Sequence, residues 1–248
     1  MTAAGVPVYT ASPSDAALDV AVSHALLRQA AETGTEAMRV WTPPPALSFG
    51  RLDLLRPSAE RAIAVAAASG LAPVRRLAGG RAAAIGPGTA CVGWACPSPE
   101  MTGMQARYEA LARVLVAALA AVGARARIGE IEAEWCPGAW SVLSGEAKVG
   151  GLAQRVIKGA AWAEAVLVVD GAASLAAALD LVQQALGVPW DPATLGQLSH
   201  PGAEVTPERT RAALLDTLAA ERPLAPHTSL PAKVLSRAGT LRVAHALT

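Results

Sequence analysis

Glu134–Arg155, EWCPGAWSVLSGEAKVGGLAQR, is the stretch around which the chain is organised. It sets one lysine, Lys148, just after a tight turn and just ahead of Gly150-Gly151. A lysine so placed is either a surface turn residue or a fixed positive charge aimed at a carboxylate or phosphate. Val74–Gly80 (VRRLAGG) is a second glycine turn upstream, and the intervening chain reads as scaffold that brings the two together.

A length of 248 residues accommodates one large domain or two small ones. Apolar content of 52% against 17% charged residues excludes a disordered chain. Aromatic residues are scarce, so the core must be built from Ala, Leu and Val. A net charge of +1 leaves no electrostatic footprint for nucleic acid. Three cysteines, Cys91, Cys96 and Cys136, with no CxxC pair, fit a reducing compartment. Neither a leader pattern nor an apolar run of membrane-spanning length is present, and a soluble, cytoplasmic monomer without a membrane partner is expected.

Ser14 or Asp15 should cap a helix running to about Ala31, with Leu18, Ala21, Val22 and Ala25 on its apolar face and Asp15, Asp19 and Ser23 on the other. Met38–Trp41 and Leu47–Gly50 read as strands around Pro43-Pro44-Pro45, with Arg51 a turn charge. Ser58–Ser69 is a helix stopped by Gly70. Val74–Arg76, Ala82–Ile85 and Cys91–Ala95 are strand-like, and Met104–Val122 is the clearest amphipathic helix. Strands at Ala124–Ile128 and Ala165–Val169 and a helix around Leu175–Leu186 follow. Short strands interleaved with four helices argue for an α/β (α+β) mixed sheet flanked by helices. Prolines including Pro189, Pro201, Pro207 and Pro231 break the tail, in which Thr206 caps one helix. The division read from this is a catalytic domain over 1–187 and a helical extension over 188–248 packed on it.

In Arg75-Arg76-Leu77-Ala78-Gly79-Gly80, the glycines allow a ligand to approach backbone amides, and the arginines offer forked donors for an anion. The same pattern also suits a structural hairpin. Neither GxGxxG nor GK[ST] is present. Lys148-Val149-Gly150-Gly151-Leu152-Ala153 repeats the theme of charge beside small residues. Two such elements, without Ser-His-Asp spacing or a metal-ligand cluster, suggest binding of an activated acyl group.

Met38–Gly50 (MRVWTPPPALSFG), Arg75–Arg81 (RRLAGGR) and Gly145–Arg155 (GEAKVGGLAQR) resemble the motifs of the lipoate–protein ligase and octanoyltransferase family, relatives of biotin protein ligase, over about residues 15–187. The resemblance implies a biotin/lipoate ligase-like catalytic domain with a central mixed, largely antiparallel sheet. It also implies a lipoyl or octanoyl group in a tunnel beside the arginine–glycine turn. Lys148 is then the functional lysine. Arg75, Arg76, Ala78, Gly79 and Gly80 form the acyl-phosphate turn, and Gly150, Gly151 and Ala153 the small residues along the nucleotide or acyl side. The chain departs from the family in carrying Ala78 where a hydroxyl residue is usual and Ile85 where histidine is usual.

Two chemistries follow from the resemblance. A ligase activates lipoate or octanoate with ATP and Mg²⁺ as an acyl-adenylate and passes it to a lysine of a lipoyl domain. That acceptor belongs to a 2-oxoacid dehydrogenase or is the glycine-cleavage carrier protein. An octanoyltransferase takes octanoyl from acyl carrier protein through a cysteine thioester. The positions where family cysteines are usual hold Ala160 and Ala133, and Cys136 is either a displaced nucleophile or a buried thiol at a strand end. Because the usual nucleophile is missing, the ATP route is the expectation. The transferase using Cys136 and a non-catalytic acyl-binding accessory protein are its alternatives. Trp135, Trp140 and Trp162 read as core or tunnel wall, or as acceptor-docking residues. No histidine is assigned a role.

Overall fold

The computed structural model describes residues 5–200 and 205–247, which leaves Pro201 outside the described residues. Strand β1 (Val6–Tyr9) leads into helix α1 (Ala16–Thr33). Asp15 caps the helix by accepting from the Leu18 amide at 2.8 Å, and Gly34 ends it in the left-handed region. Strand β2 (Ala37–Trp41) runs parallel to β1, which makes α1 a crossover packed against the sheet.

That packing overturns one expectation. Asp19 and Ser23 do not lie on an outer face of α1; both are buried. Arg39, on the middle strand residue of β2, is itself buried and reaches them. It donates to the Asp19 carboxylate at 2.6 Å and to the Ser23 hydroxyl at 2.9 Å. Trp41 donates its indole N–H to the other Asp19 oxygen at 3.0 Å. A buried carboxylate is tolerable only when paired and hydrogen-bonded in this way.

Strand β3 (Ala46–Phe49) is followed by a one-turn helix, α2 (Arg51–Leu54), rather than by a simple turn at Arg51. Helix α3 (Ala59–Ala68) leads to β4 (Ala72–Arg75), and β5 (Ala83–Ile85) follows. The segment between β4 and β5 is not a hairpin. β4 pairs in parallel with one edge of β3 and β5 in antiparallel fashion with the other, so the arginine–glycine turn passes over the end of β3.

The remaining elements build the large sheet: β6 (Thr89–Ser98), helix α4 (Met104–Ala121), β7 (Arg127–Gly129), β8 (Ser141–Ser144), β9 (Ala147–Ile157) and β10 (Gly159–Val168). Helix α5 (Ala172–Leu186), helix α6 (Pro207–Glu221), strand β11 (Leu224–His227) and helix α7 (Ala232–Leu241) complete the chain. The strand order is β11-β1-β2-β6-β10-β9-β8-β7, antiparallel except at β11, β1 and β2. This is the mixed, largely antiparallel sheet flanked by helices that the sequence implied. β1, β8, β9, β11 and α7 were not anticipated, and β11 pairs with β1 at the sheet edge.

Alternate strand residues feed two cores. Met38, Val92 and Leu167 pack with Leu111 and Leu115 of α4 and Leu214 of α6 on one face. Trp41, Cys91 and Trp162 pack with Val22 and Leu26 of α1 on the other. A third core joins the small sheet to α3 and α5 through Leu47, Phe49, Ala62 and Leu179. Cys91 and Cys96 are buried packing thiols; burial raises both, Cys96 to about 11. Gly93 leaves room for the Trp162 indole, which would come within 2.2 Å of a Cβ there.

Candidate active site around Cys136, Arg76 and Lys148

The site lies where the small sheet meets the middle of the large one. In the β8–β9 pairing, Val142 faces Gly150 and Leu143 faces Lys148, so Val149 is an extra residue in the ladder. Such a bulge bends a strand and re-aims its side chains. Lys148 is thereby turned inward and is only 2% exposed. Its ammonium donates to Glu134 Oε1 at 3.1 Å and to the carbonyls of Trp135 and Cys136, each at 2.7 Å. It also sits 4.7 Å from the centre of the Trp135 ring. A lysine ammonium has three donors, and all three are spent on one loop. Burial pulls the lysine's pKa down, and the charges of Cys136 and Glu134 oppose that shift.

Glu134 organises the same loop from within. Its carboxylate accepts from the Ile131 and Gly138 amides at 3.3 and 3.1 Å and from the Ser141 hydroxyl. Wound around this ion pair, the loop holds Ala133 at φ 57° and Cys136 at φ 45°. Positive φ in residues with a Cβ costs of order 1–3 kcal/mol and persists where surrounding contacts over-determine it. Here those contacts are the Lys148 and Glu134 hydrogen bonds.

The strained loop presents Cys136 to the arginine–glycine turn. Its Sγ accepts from the Arg81 backbone N–H at 3.1 Å and lies 3.5 Å from Arg76 Nη1. Arg76 is held by the Arg81 carbonyl at 2.9 Å. Gly80, at φ 115°, makes the approach possible: a Cβ there would lie 2.8 Å from Sγ and 2.6 Å from Arg76 Nη1. An amide and a guanidinium aimed at sulfur complement negative charge on it.

Two connected cavities meet at this point. The first is lined by Cys136, Lys148, Gly79, Gly80 and Trp140, which stacks on Tyr108 with ring centres 4.8 Å apart. The second is the more apolar and is lined by Leu77, Ile85, Trp41 and Ala165, with Ser48 and Glu164 among them. Arg76, Ala83, Gly151, Ala153 and Val166 border both. Glu164 projects into the second cavity and accepts the Trp162 indole N–H at 2.6 Å. Burial raises its carboxyl pKa, more than Arg76 and the indole bond lower it.

Of the residues singled out from sequence, Lys148, Cys136, Arg76, Gly79, Gly80, Gly151 and Ala153 converge here. Three do not line either cavity. Ala78 is buried in the α1-side core. Gly150 packs on β10, where a Cβ would lie 2.3 Å from the Val166 carbonyl. Arg75 is exposed beyond the turn, its backbone paired to His245. Trp135 lies under Lys148, and Trp162 is buried behind the second cavity. Glu134, Arg81 and Glu164 were missed. Glu134 opens the central stretch, but nothing local marks its carboxylate as the loop's anchor.

Among the described residues no group of three or more His, Cys, Asp or Glu side chains could hold a metal ion. No aspartate or glutamate among the described residues lines the first cavity.

The mixed sheet with its smaller three-stranded companion has the fold of solved lipoate protein ligases. Lipoate-protein ligase A solved with ATP superposes with a TM-score of 0.76 at 19% identity, covering 97% of this chain and 94% of that one. The bipartite lipoate protein ligase of Thermoplasma acidophilum, described with its E2 lipoyl domain, gives 0.73 at 16% identity over 97% and 92%. The chain belongs to the lipoyl protein ligase A/B catalytic domain family, whose model matches residues 15–218. It is 29% identical over 167 residues to an octanoyl-[GcvH]:protein N-octanoyltransferase of Geobacillus kaustophilus, over 66% of this chain. The match spans 59% of that relative's length. No helix among the described residues is long and apolar enough to cross a membrane.

Proposed function

We propose that this chain transfers a medium-chain acyl group, octanoyl or lipoyl, between carrier domains through a thioester on Cys136. The observation that carries this reading is the seating of Cys136 Sγ against the Arg81 amide and the Arg76 guanidinium, in a cavity that shares Arg76, Gly151 and Ala153 with a more apolar one. The thiol attacks the donor's acyl carbonyl carbon, the bond to the donor breaks, and the thiol proton leaves on the donor's amine or thiol. The acceptor lysine amine then attacks the thioester, forming the amide and returning the proton to Cys136. The donor is the octanoylated glycine-cleavage carrier named for the Geobacillus relative, or acyl carrier protein. The acceptor is a lipoyl domain of a 2-oxoacid dehydrogenase.

The ATP-dependent route expected from the sequence asks Lys148 to meet a carboxylate and an α-phosphate. All three of its donors already serve the loop that carries Cys136. Lys148 is better described as the residue that positions the nucleophile. Without Mg²⁺ ligands on the first cavity, the thioester route needs fewer additions to the residues present.

The test is to incubate the protein with octanoylated glycine-cleavage carrier, with octanoyl acyl carrier protein, or with octanoate and ATP, and to follow intact mass. A hydroxylamine-labile octanoyl adduct from a carrier donor without ATP, absent in Cys136→Ser, is the expected result. An ATP-dependent acyl-adenylate that survives Cys136→Ser would establish the ligase route instead.

A further inference from the structure

Beyond the reaction cavities, a groove of about 1200 Å³ runs across the outer side of the arginine–glycine turn. Among the described residues six arginines line it (Arg28, Arg51, Arg75, Arg76, Arg81 and Arg155), and no aspartate or glutamate does. The whole chain carries 21 basic and 20 acidic residues, so this is a local concentration rather than a reflection of net charge. Among the described residues, Arg81 alone of the six has an ion pair, to the buried Asp53 at 3.3 Å. The side chains of Arg51, Arg75 and Arg155 have no carboxylate partner among the described residues. His24, on the groove wall, is pushed down to about 4 by burial and by His245, Arg28 and Arg155.

Charge is only half of the surface. Leu52, Leu55 and Met104 border the same groove and are 58%, 66% and 56% exposed. Exposed apolar residues interleaved with arginine are the composition of protein–protein contact surfaces, whereas a phosphate ligand would gain nothing from them. The groove exceeds the few hundred to about 1000 Å³ usual for a small-molecule pocket. Its floor is shared with the reaction cavity at Arg76, Gly79, Gly80 and Pro137, so an arm projecting from a body seated here enters beside Cys136.

We propose that this groove docks an acidic face of the carrier domain that brings or receives the acyl group, its arginines facing carboxylates and Leu52, Leu55 and Met104 facing an apolar patch. The proposal rests on the carrier-to-carrier reading, but it can fail independently of it. Opposite charge across such a rim acts mainly on encounter and is screened by salt.

The experiment uses the full chain with Arg51→Glu and Arg155→Glu, singly and together, since neither side chain touches Cys136. Acylation is measured from an octanoylated glycine-cleavage carrier protein of net negative charge and from octanoyl-N-acetylcysteamine, a small thioester with no protein surface. The double variant should lose roughly 10- to 100-fold in kcat/KM with the carrier, chiefly through KM, and should lose most of the wild-type salt dependence. Its rate with the small thioester should stay within about twofold. Equal loss with both donors, or loss with neither, overturns the proposal. Calorimetric titration with the unmodified carrier is independent of thioester chemistry. Salt-sensitive binding that is weakened in the double variant supports docking even if Cys136 is never acylated, and equal binding by both proteins refutes it.

Discussion

The ammonium of Lys148 lies 2.7 Å from the carbonyl oxygen of Cys136. The lysine therefore fixes the backbone of the residue whose sulfur meets Arg76 and Arg81. Lys148→Ala removes that hold and leaves the Glu134 carboxylate buried without its cation. Breaking a buried pair in this way costs about 3–5 kcal/mol. Denaturant unfolding should register that loss together with abolished acyl transfer. Glu134→Gln combined with Lys148→Met should unfold less readily than Lys148→Ala, while remaining inactive because the loop carbonyls are still released.

Adjacent glycines of the turn should respond in opposite ways. Gly80→Ala places a methyl group within 2.8 Å of Cys136 Sγ on a backbone at φ 115°. It should cost of order 1–3 kcal/mol and slow thioester formation at least tenfold. Gly79→Ala meets only the Gln154 carbonyl at 3.8 Å and should change stability by about 0.5 kcal/mol or less. Rates of Cys136 alkylation and of acyl transfer in the two variants check the contrast.

Glu164 gives a pH signature to the apolar cavity. Its folded pKa is raised above the usual 4.5 by burial. Its contribution to stability is therefore complete below that value and is lost as pH rises through the folded pKa. Glu164→Gln removes the ionisation and retains an oxygen for the Trp162 indole. The variant should be more stable than wild type at pH 7–8, and the gain should vanish by about pH 4. Melting temperatures measured across that range decide it.

A second signature has the opposite sign. His24 and His245 face each other with ring nitrogens 3.0 Å apart, and His245 also bonds the Arg75 carbonyl at 2.8 Å. Burial lowers both, His24 from 6.5 to about 4. Both are neutral in folded and unfolded chains above about pH 7, so they add no pH dependence there. Between 6.5 and 4 the unfolded chain takes up protons that the folded one refuses, and stability falls. His24→Gln should flatten the fall seen in denaturant titrations between pH 7 and pH 4.

Local pattern made most elements of this protein readable. The apolar spacing of α4, the Asp15 and Thr206 caps and the glycine stop at Gly70 act within one or two turns of chain, so sequence alone carries them. The three motifs likewise marked the family and the arginine–glycine and lysine turns. What α1 buries was misread, because Asp19 becomes a core residue only when Arg39 and Trp41 from β2 supply its partners. β1 and β11 went unseen because strands of four residues carry too little periodicity of their own.

Sequence by itself determined that Cys136, Arg76, Gly80 and Lys148 were all present and that two glycine turns carried fixed charge. Only the tertiary structure decided what each of them faces. The bulge at Val149 turns Lys148 onto the loop, and the pairing of β4 and β5 on either side of β3 carries Gly80 over to the sulfur. Hydrogen-bond partners 55 to 60 residues apart are chosen by packing of the whole sheet, which no local spacing encodes.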